Sequence, residues 1–470
     1  MASAKTLHIV MFPWLAFGHL LPFLNLALLI AKRGHKISFI STPRNLQRLP
    51  KIPSDLAPLI DFIEIKLPSV AHLPVHAEAT IDVPFNKVKF LKIAYDRLRD
   101  PVARVLESVF PDWILCDFAS SWLGPVASQL GVRVGWFSVF PASILGFIGP
   151  PGKLIDCDGA PVRPEDYTVK PEWVHFETSV AMSMFQILAT APNLEADETE
   201  NVTDRFRLGT TIRNCDMVAI RSSVEFEPEW LNLVEEIYGK PVVPVGLLPI
   251  EEISNSGDDG CWGDIRDWLD KQAEGSVVYV AFGAETKLNQ VAVTELALGL
   301  ELSGLPFFWA FRKQRGSADP EIVELPEGFQ ERTRGRGMVY MTWVPQNRIL
   351  RHGSVGGLLF HSGWSSVVEG VQFGKVLVLL PMLGDQGIIA TQLEEKKLGL
   401  LIPRNELDGQ FTREAVAESL KLVMVDEEAG KIYRDKVKEM QSIFGDMDKQ
   451  DSYVNNLIVH LETHRIARDY

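Results

Sequence analysis

Two short runs of this chain bring polar and aromatic side chains together at spacings suited to chemistry. The first is Phe12-Pro-Trp-Leu-Ala-Phe-Gly18-His19, with His19 opening a helical pattern that runs to Lys32-Arg33 and stops at Gly34. The positive end of a helix disfavours the imidazolium form, so His19 is expected to be a neutral base near pH 7. Asp117 follows an apolar stretch, Pro111-Asp-Trp-Ile-Leu-Cys116, and is placed to hold the other ring nitrogen and stabilise charge as it develops. Taken singly, a His after Gly and an Asp at a strand end are more often structural. As a pair they form the His–Asp half of a catalytic triad without a serine nucleophile. The second run is His361-Ser-Gly-Trp364-Ser-Ser366-Val-Val-Glu369. A strand over Val355–Phe360 ends at His361, and a helix is expected to begin near Ser365. Its unpaired N–H groups and partial positive charge suit an anion such as a diphosphate. Gly363 allows close backbone approach, and Ser365 and Ser366 offer hydroxyls.

These residues need elements to hold them. Leu7–Phe12 and Lys36–Ser41 read as strands around the helix from His19, a βαβ unit and therefore a parallel sheet. Pro111–Cys116 and Arg133–Ser138 continue it. The pattern restarts after residue 260, with strands at Ser276–Phe282, Pro306–Arg312, Met338–Met341, Val355–Phe360 and Val376–Leu380. A helix is expected over Gln290–Leu302. The fold class expected is α/β, with two facing Rossmann-like doubly wound sheets and a cleft at the C-terminal ends of their strands. The division expected is an N-terminal acceptor-binding domain over 1–247, a linker over 248–262, a C-terminal donor domain over 263–450, and a final helix over 451–470 returning to the N-domain.

The stretch from Trp343 to Gln386 resembles the donor-binding signature of plant family 1 UDP-dependent glycosyltransferases. It reads Trp343-Val-Pro-Gln346, then His361-Ser-Gly-Trp364-Ser-Ser366-Val-Val-Glu369, then Pro381-Met-Leu-Gly-Asp385-Gln386, matching in order and in length. Phe12–His19 and Val278-Tyr-Val-Ala-Phe-Gly283 look like two further landmarks of that family, so the likeness spans the chain. It implies a GT-B fold and a UDP-sugar as co-substrate. It also implies donor contacts from Gly283, Trp343, Val344, Gln346, His361, Gly363, Trp364, Ser365, Ser366, Glu369, Asp385 and Gln386. Trp343 offers a flat face to uracil, Glu369 an acceptor for both ribose hydroxyls, and Asp385 and Gln386 partners for the sugar. The family's catalytic histidine and aspartate fall on His19 and Asp117. This chain departs where the family usually has Cys (here Ser362) and Asn (here Ser365), and has Ala284 where a Ser often meets phosphate. The shorter Ser365 leaves room for a water or backbone group to fill in.

Gln386 is what glucose-using members commonly carry. The branch resembled most lengthens sugar chains on terpenoid or flavonoid glycosides, and some of its members use UDP-rhamnose, so the donor stays open between the two sugars. A UDP-sugar epimerase and a non-catalytic binder remain as remote alternatives. No metal is expected: Asp156-Cys-Asp158 and Asp446-Met-Asp448 have Asp-x-Asp spacing, but neither follows a buried strand at the cleft. Apolar stretches at Ser143–Phe147, His175-Phe176 and Met182–Phe185 suit either a pocket for an apolar acceptor or simple core.

Composition excludes other classes. A net charge of −14 is wrong for a nucleic-acid partner. The apolar N-terminus is interrupted by His8, Pro13, Gly18, His19, Pro22 and Asn25, well short of the roughly 20 residues a membrane span needs. Four scattered cysteines fit free thiols in a reducing compartment, and a cytoplasmic location is expected.

Overall fold

A computed structural model describes residues 6–156, 163–194, 202–249, 260–283, 286, 288–312 and 322–466. Most of the expected linker, together with Ala284, Cys157 and Asp158, lies outside them.

The strands are short runs of Val, Ile, Leu and Phe, and most are buried on both faces, as parallel strands covered by helices must be. In the first sheet they are β1 (His8–Phe12), β2 (Lys36–Ser41), β3 (Ile60–Glu64), β4 (Trp113–Cys116), β5 (Arg133–Ser138), β6 (Met217–Ile220) and β7 (Val242–Pro244). Their order is β3-β2-β1-β4-β5-β6-β7, parallel throughout. The second sheet holds β8 (Val277–Ala281), β9 (Phe307–Ala310), β10 (Gly337–Tyr340), β11 (Val355–Phe360), β12 (Val376–Leu379) and β13 (Gly399–Leu401). Its order, β10-β9-β8-β11-β12-β13, is again all parallel. Both are doubly wound Rossmann-like sheets, and in each the strand order reverses at one place, between β1 and β4 and between β8 and β11. Ligands of such sheets bind just outside the strand ends at this point. Register brings the loops level there: Phe12 pairs with Cys116, and Ala281 with Phe360.

The helix after β1 spans Phe17–Ala31, starting two residues before the expected His19. Ala16 is its N-cap and accepts the N–H groups of both His19 and Leu20. The helix after β11 spans Trp364–Gln372, one residue earlier than expected, with Gly363 as N-cap.

The C-terminal helix Met447–Thr463 buries Val454, Leu457, Ile458 and Leu461 against Leu20, Phe23 and Leu24 of the first half. Each such side chain contributes about 1.5–3 kcal/mol when fully buried. Polar contacts fix its register. Trp113 Nε1 donates to the Leu461 carbonyl at 2.9 Å, and Gln450 Oε1 accepts the Leu247 N–H at 2.6 Å. Asp446, one of the Asp-x-Asp residues, caps this helix by accepting the Lys449 N–H.

Candidate active site

His19 and Asp117 leave β1 and β4 side by side at the switch point of the first sheet. Their contact is direct, with His19 Nδ1 2.8 Å from Asp117 Oδ2. The same oxygen accepts the Trp14 N–H at 3.0 Å, and Oδ1 accepts the Phe118 N–H at 2.7 Å. Backbone donors therefore fix the orientation of the aspartate, its side chain only 2% exposed. A carboxylate facing Nδ1 places the ring proton there and leaves Nε2 as the basic nitrogen. Phe118 and Phe140 flank the imidazole at centroid distances of 5.8 and 5.4 Å, an apolar collar around the base.

His361 and Gly283 occupy the equivalent point of the second sheet. The ring is packed between two glycines. A Cβ on Gly363 would lie 2.6 Å from His361 Nε2, and one on Gly283 3.2 Å from Cε1. Between them Ser362 takes a left-handed backbone (φ 67°), a strained turn for a non-glycine residue that swings the chain from strand to helix. Burial pushes the His361 imidazole down to about 4, so it is neutral at pH 7. Beyond it the first N–H groups of the Trp364–Gln372 helix, those of Trp364, Ser365 and Ser366, lack intrahelical acceptors.

Glu369 sits one turn along the same helix. Gln346 Nε2 donates to its Oε2 at 2.5 Å, while Gln346 Oε1 accepts from the Tyr279 hydroxyl at 3.2 Å. Burial raises the carboxyl, opposed by the Gln346 bond and by the charge of Arg221. Trp343 stands apart on the preceding loop with 60% of its surface exposed, an unusual setting for an indole and a ready stacking face. Val344 beneath it is buried, its carbonyl accepting the Gln346 N–H.

Three candidates do not present their side chains as expected. Trp364 is buried against Phe226 and Phe444, its Nε1 donating to the Arg221 carbonyl at 2.9 Å, so only its backbone is left at the helix start. Ser365 Oγ accepts from Arg221 Nη1 at 2.7 Å, so a side chain from the other half fills the space expected for a water or backbone group. Gln386 folds back, its Oε1 accepting the N–H groups of Met382 (2.9 Å) and Leu383 (3.1 Å), so its oxygen is engaged within its own loop. Asp385 is the first residue of the Asp385–Glu395 helix, after a tight turn at Gly384 (φ 43°).

That helix also ties the halves together. Gln392, fully buried, donates to Glu227 Oε2 and accepts from the Ser143 hydroxyl, both at 2.8 Å. Glu227 also accepts the N–H groups of Ala142 and Ser143, capping the Ala142–Ile148 helix. Ser143–Phe147 is buried in the first half. Arg221, Tyr279, Glu227 and Gln392 carry no local sequence signal, because each gains its role from a partner 67 to 165 positions away.

Among the described residues no group of three or more His, Cys, Asp or Glu side chains is gathered to hold a metal, and no helix is long and apolar enough to cross a membrane.

Facing doubly wound sheets, each with polar groups at its switch point, define a GT-B glycosyltransferase architecture. Residues 214–451 match the family model described as "UDP-glucoronosyl and UDP-glucosyl transferase". UDP-glycosyltransferase 91A1 of Arabidopsis thaliana is 50% identical over 98% of this chain and 97% of its own length. Soyasaponin III rhamnosyltransferase of Glycine max is 40% identical over 99% and 97% respectively. The crystal structure of Glycyrrhiza uralensis UGT73P12 complexed with glycyrrhetinic acid 3-O-monoglucuronide superposes with a TM-score of 0.79, covering 98% of this chain and 96% of that one at 20% identity, which shows a shared fold. The chain belongs to the plant family 1 UDP-glycosyltransferases and is a transferase.

Proposed function

We propose that this enzyme transfers glucose, with inversion, from UDP-glucose to a sugar hydroxyl of a hydrophobic plant glycoside such as a diterpenoid, triterpenoid or flavonoid glycoside. Residues 1–247 would bind the acceptor and 263–450 the donor, with 248–262 as linker and the final helix serving the first half. His19 Nε2 takes the acceptor hydroxyl's proton as that oxygen attacks the anomeric carbon. The bond from that carbon to the β-phosphate oxygen breaks, and its electron pair leaves with UDP. Asp117 holds the ring and stabilises the imidazolium as it forms. What supports this most is the 2.8 Å His19–Asp117 contact at the switch point of the first sheet.

On the donor side, Gly283, His361, Gly363, Ser366 and the helix N–H groups, Trp364's included, receive the diphosphate. Glu369, oriented by Gln346, accepts the ribose hydroxyls. Trp343 stacks on uracil beside the Val344 backbone, and Asp385 and Gln386 face the sugar. No metal takes part. The free thiols of Cys116, Cys215 and Cys261 suit a reducing, cytoplasmic setting.

Transfer from UDP-rhamnose is the second reading. It is favoured by the likeness to a soyasaponin rhamnosyltransferase and by the folded-back Gln386, which offers the sugar fewer contacts than an extended amide. A panel of UDP-glucose and UDP-rhamnose against steviol, triterpenoid and flavonoid glycosides, with products weighed by mass spectrometry, separates the two. Products carrying one added hexose from UDP-glucose are expected. Products from UDP-rhamnose alone would replace glucose as donor, and activity on free aglycones alone would end the chain-lengthening proposal. His19→Ala should abolish transfer, and a near wild-type rate would remove the histidine from the chemistry.

A further inference from the structure

Arg221 follows β6 in the first half, yet its side chain reaches the donor helix of the second. It is 4% exposed. Nε donates to the Leu247 carbonyl at 2.8 Å and Nη2 to Leu248 at 3.5 Å, both where the chain leaves the first half. Nη1 donates to Ser365 Oγ at 2.7 Å, and the Arg221 carbonyl takes the Trp364 indole N–H. One residue thus grips the end of the first half and the first two residues of the donor helix.

The charge is only partly matched by this packing: Glu369 is within electrostatic reach but not in contact. Among the described residues Arg221 forms no ion pair, and the three groups it bonds are neutral oxygens. A buried cation without a counter-ion in contact is costly, and the cost is offset further when an anion arrives beside it. Burial lowers the guanidinium only to about 10, with Glu369 pulling it upward, so it stays charged at neutral pH. Ser365 conveys that charge outward. A hydroxyl has one hydrogen to donate; when its oxygen accepts from a guanidinium, that hydrogen is turned away from the arginine and is the more acidic for it.

We propose that Arg221 is a positioning residue for the donor's diphosphate: it orients and polarises the Ser365 hydroxyl toward a phosphate oxygen and adds fixed positive charge behind the helix N-terminus. This rests on the diphosphate lying at the Trp364–Gln372 helix start. It makes diphosphate binding depend on the two halves being docked, because the cation belongs to one and the helix to the other.

The test compares ligands with and without phosphates, using the full chain and isothermal titration with UDP and with uridine. Charge-assisted hydrogen bonds contribute enough that Arg221→Met should weaken UDP by about tenfold or more. Uridine should change by less than about twofold on the same argument, since it reaches no phosphate subsite. Arg221→Lys should recover part of the loss. Kinetically, KM for the UDP-sugar should rise while KM for the acceptor holds. Equal weakening of UDP and uridine would reduce Arg221 to a structural staple, and unchanged UDP binding would overturn the proposal outright. Should Arg221→Met fail to fold, Ser365→Ala keeps the charge and removes the relay, and the same selective loss of UDP is expected. Trp343→Ala is the control that should weaken both ligands together. Failure of the wild-type chain to bind UDP would instead defeat the donor-site assignment itself.

Discussion

Replacing Asp117 with Asn keeps the side chain's shape and removes one acceptor. The structure shows why no orientation of the amide suits the site. Oδ2 receives two donors, the Trp14 N–H and His19 Nδ1, and Oδ1 receives the Phe118 N–H. With the amide oxygen at the Oδ2 position, the NH₂ group meets the Phe118 N–H. With the amide reversed, the NH₂ group meets the Trp14 N–H and turns His19 to the tautomer protonated on Nε2, which cannot accept the substrate's proton. An unsatisfied buried donor costs about 1–3 kcal/mol, so stability should fall by that order. Activity should fall much further, because loss of the orienting carboxylate in a His–Asp pair costs up to about 10⁴ in rate, or about 5 kcal/mol of barrier. Initial rates at saturating UDP-sugar over a range of acceptor concentrations measure this, and urea unfolding measures the stability loss. We expect kcat to drop by about 10³–10⁴ with acceptor KM little changed. A folded Asp117→Asn enzyme within tenfold of wild type, alongside an inactive His19→Ala, would refute the orienting role.

His361 gives a pH dependence of defined sign. Its folded value, about 4, lies below the ordinary 6.5, so the folded chain binds fewer protons in that window. Its contribution is complete above pH 6.5 and is lost as pH falls toward 4, by about 3 kcal/mol in all. Urea unfolding at pH 7 and pH 4.5 should show a steeper loss for wild type than for His361→Asn; parallel losses would contradict the shift. Gln392→Leu strips a donor from buried Glu227 and an acceptor from Ser143, and should cost about 2–4 kcal/mol of stability by the same assay. In the proposed donor site positive charge comes from the helix N-terminus and Arg221, so excess EDTA should leave the initial rate unchanged; a chelator-sensitive rate restored by magnesium would show a metal requirement.

Much of the frame was legible because a parallel sheet writes itself plainly. β5 and β11 coincide with the expected Arg133–Ser138 and Val355–Phe360, since strands buried on both faces have interiors, Val134–Phe137 and Gly356–Leu359, without polar side chains. The helix after β1 was less legible. Phe17 and Gly18 carry no capping signal, and the helix begins there because the Ala16 carbonyl accepts the next turn's N–H groups.

In the candidate site, residue type marked chemistry but not direction. His19 and Asp117 are 98 positions apart, and only the order β1-β4 in the sheet makes them neighbours. Trp343 and Trp364 read alike as aromatic side chains of one segment. The fold exposes the first and buries the second under Phe226 and Phe444, because the helix start is also where the two halves touch. The sequence by itself determined the class of fold from local pattern and the family from the likeness of its Trp343–Gln386 segment, and it singled out His19 and Asp117 as a candidate pair. The tertiary structure alone decided that Gln386 folds back, that Ser365 is held by Arg221, and that Gln392 locks onto Glu227 across the halves. The Gln386 contact depends on the conformation of its own loop, three and four residues back, while the other two form only once two separately wound sheets are docked, and a chain read one residue at a time has no term for that docking.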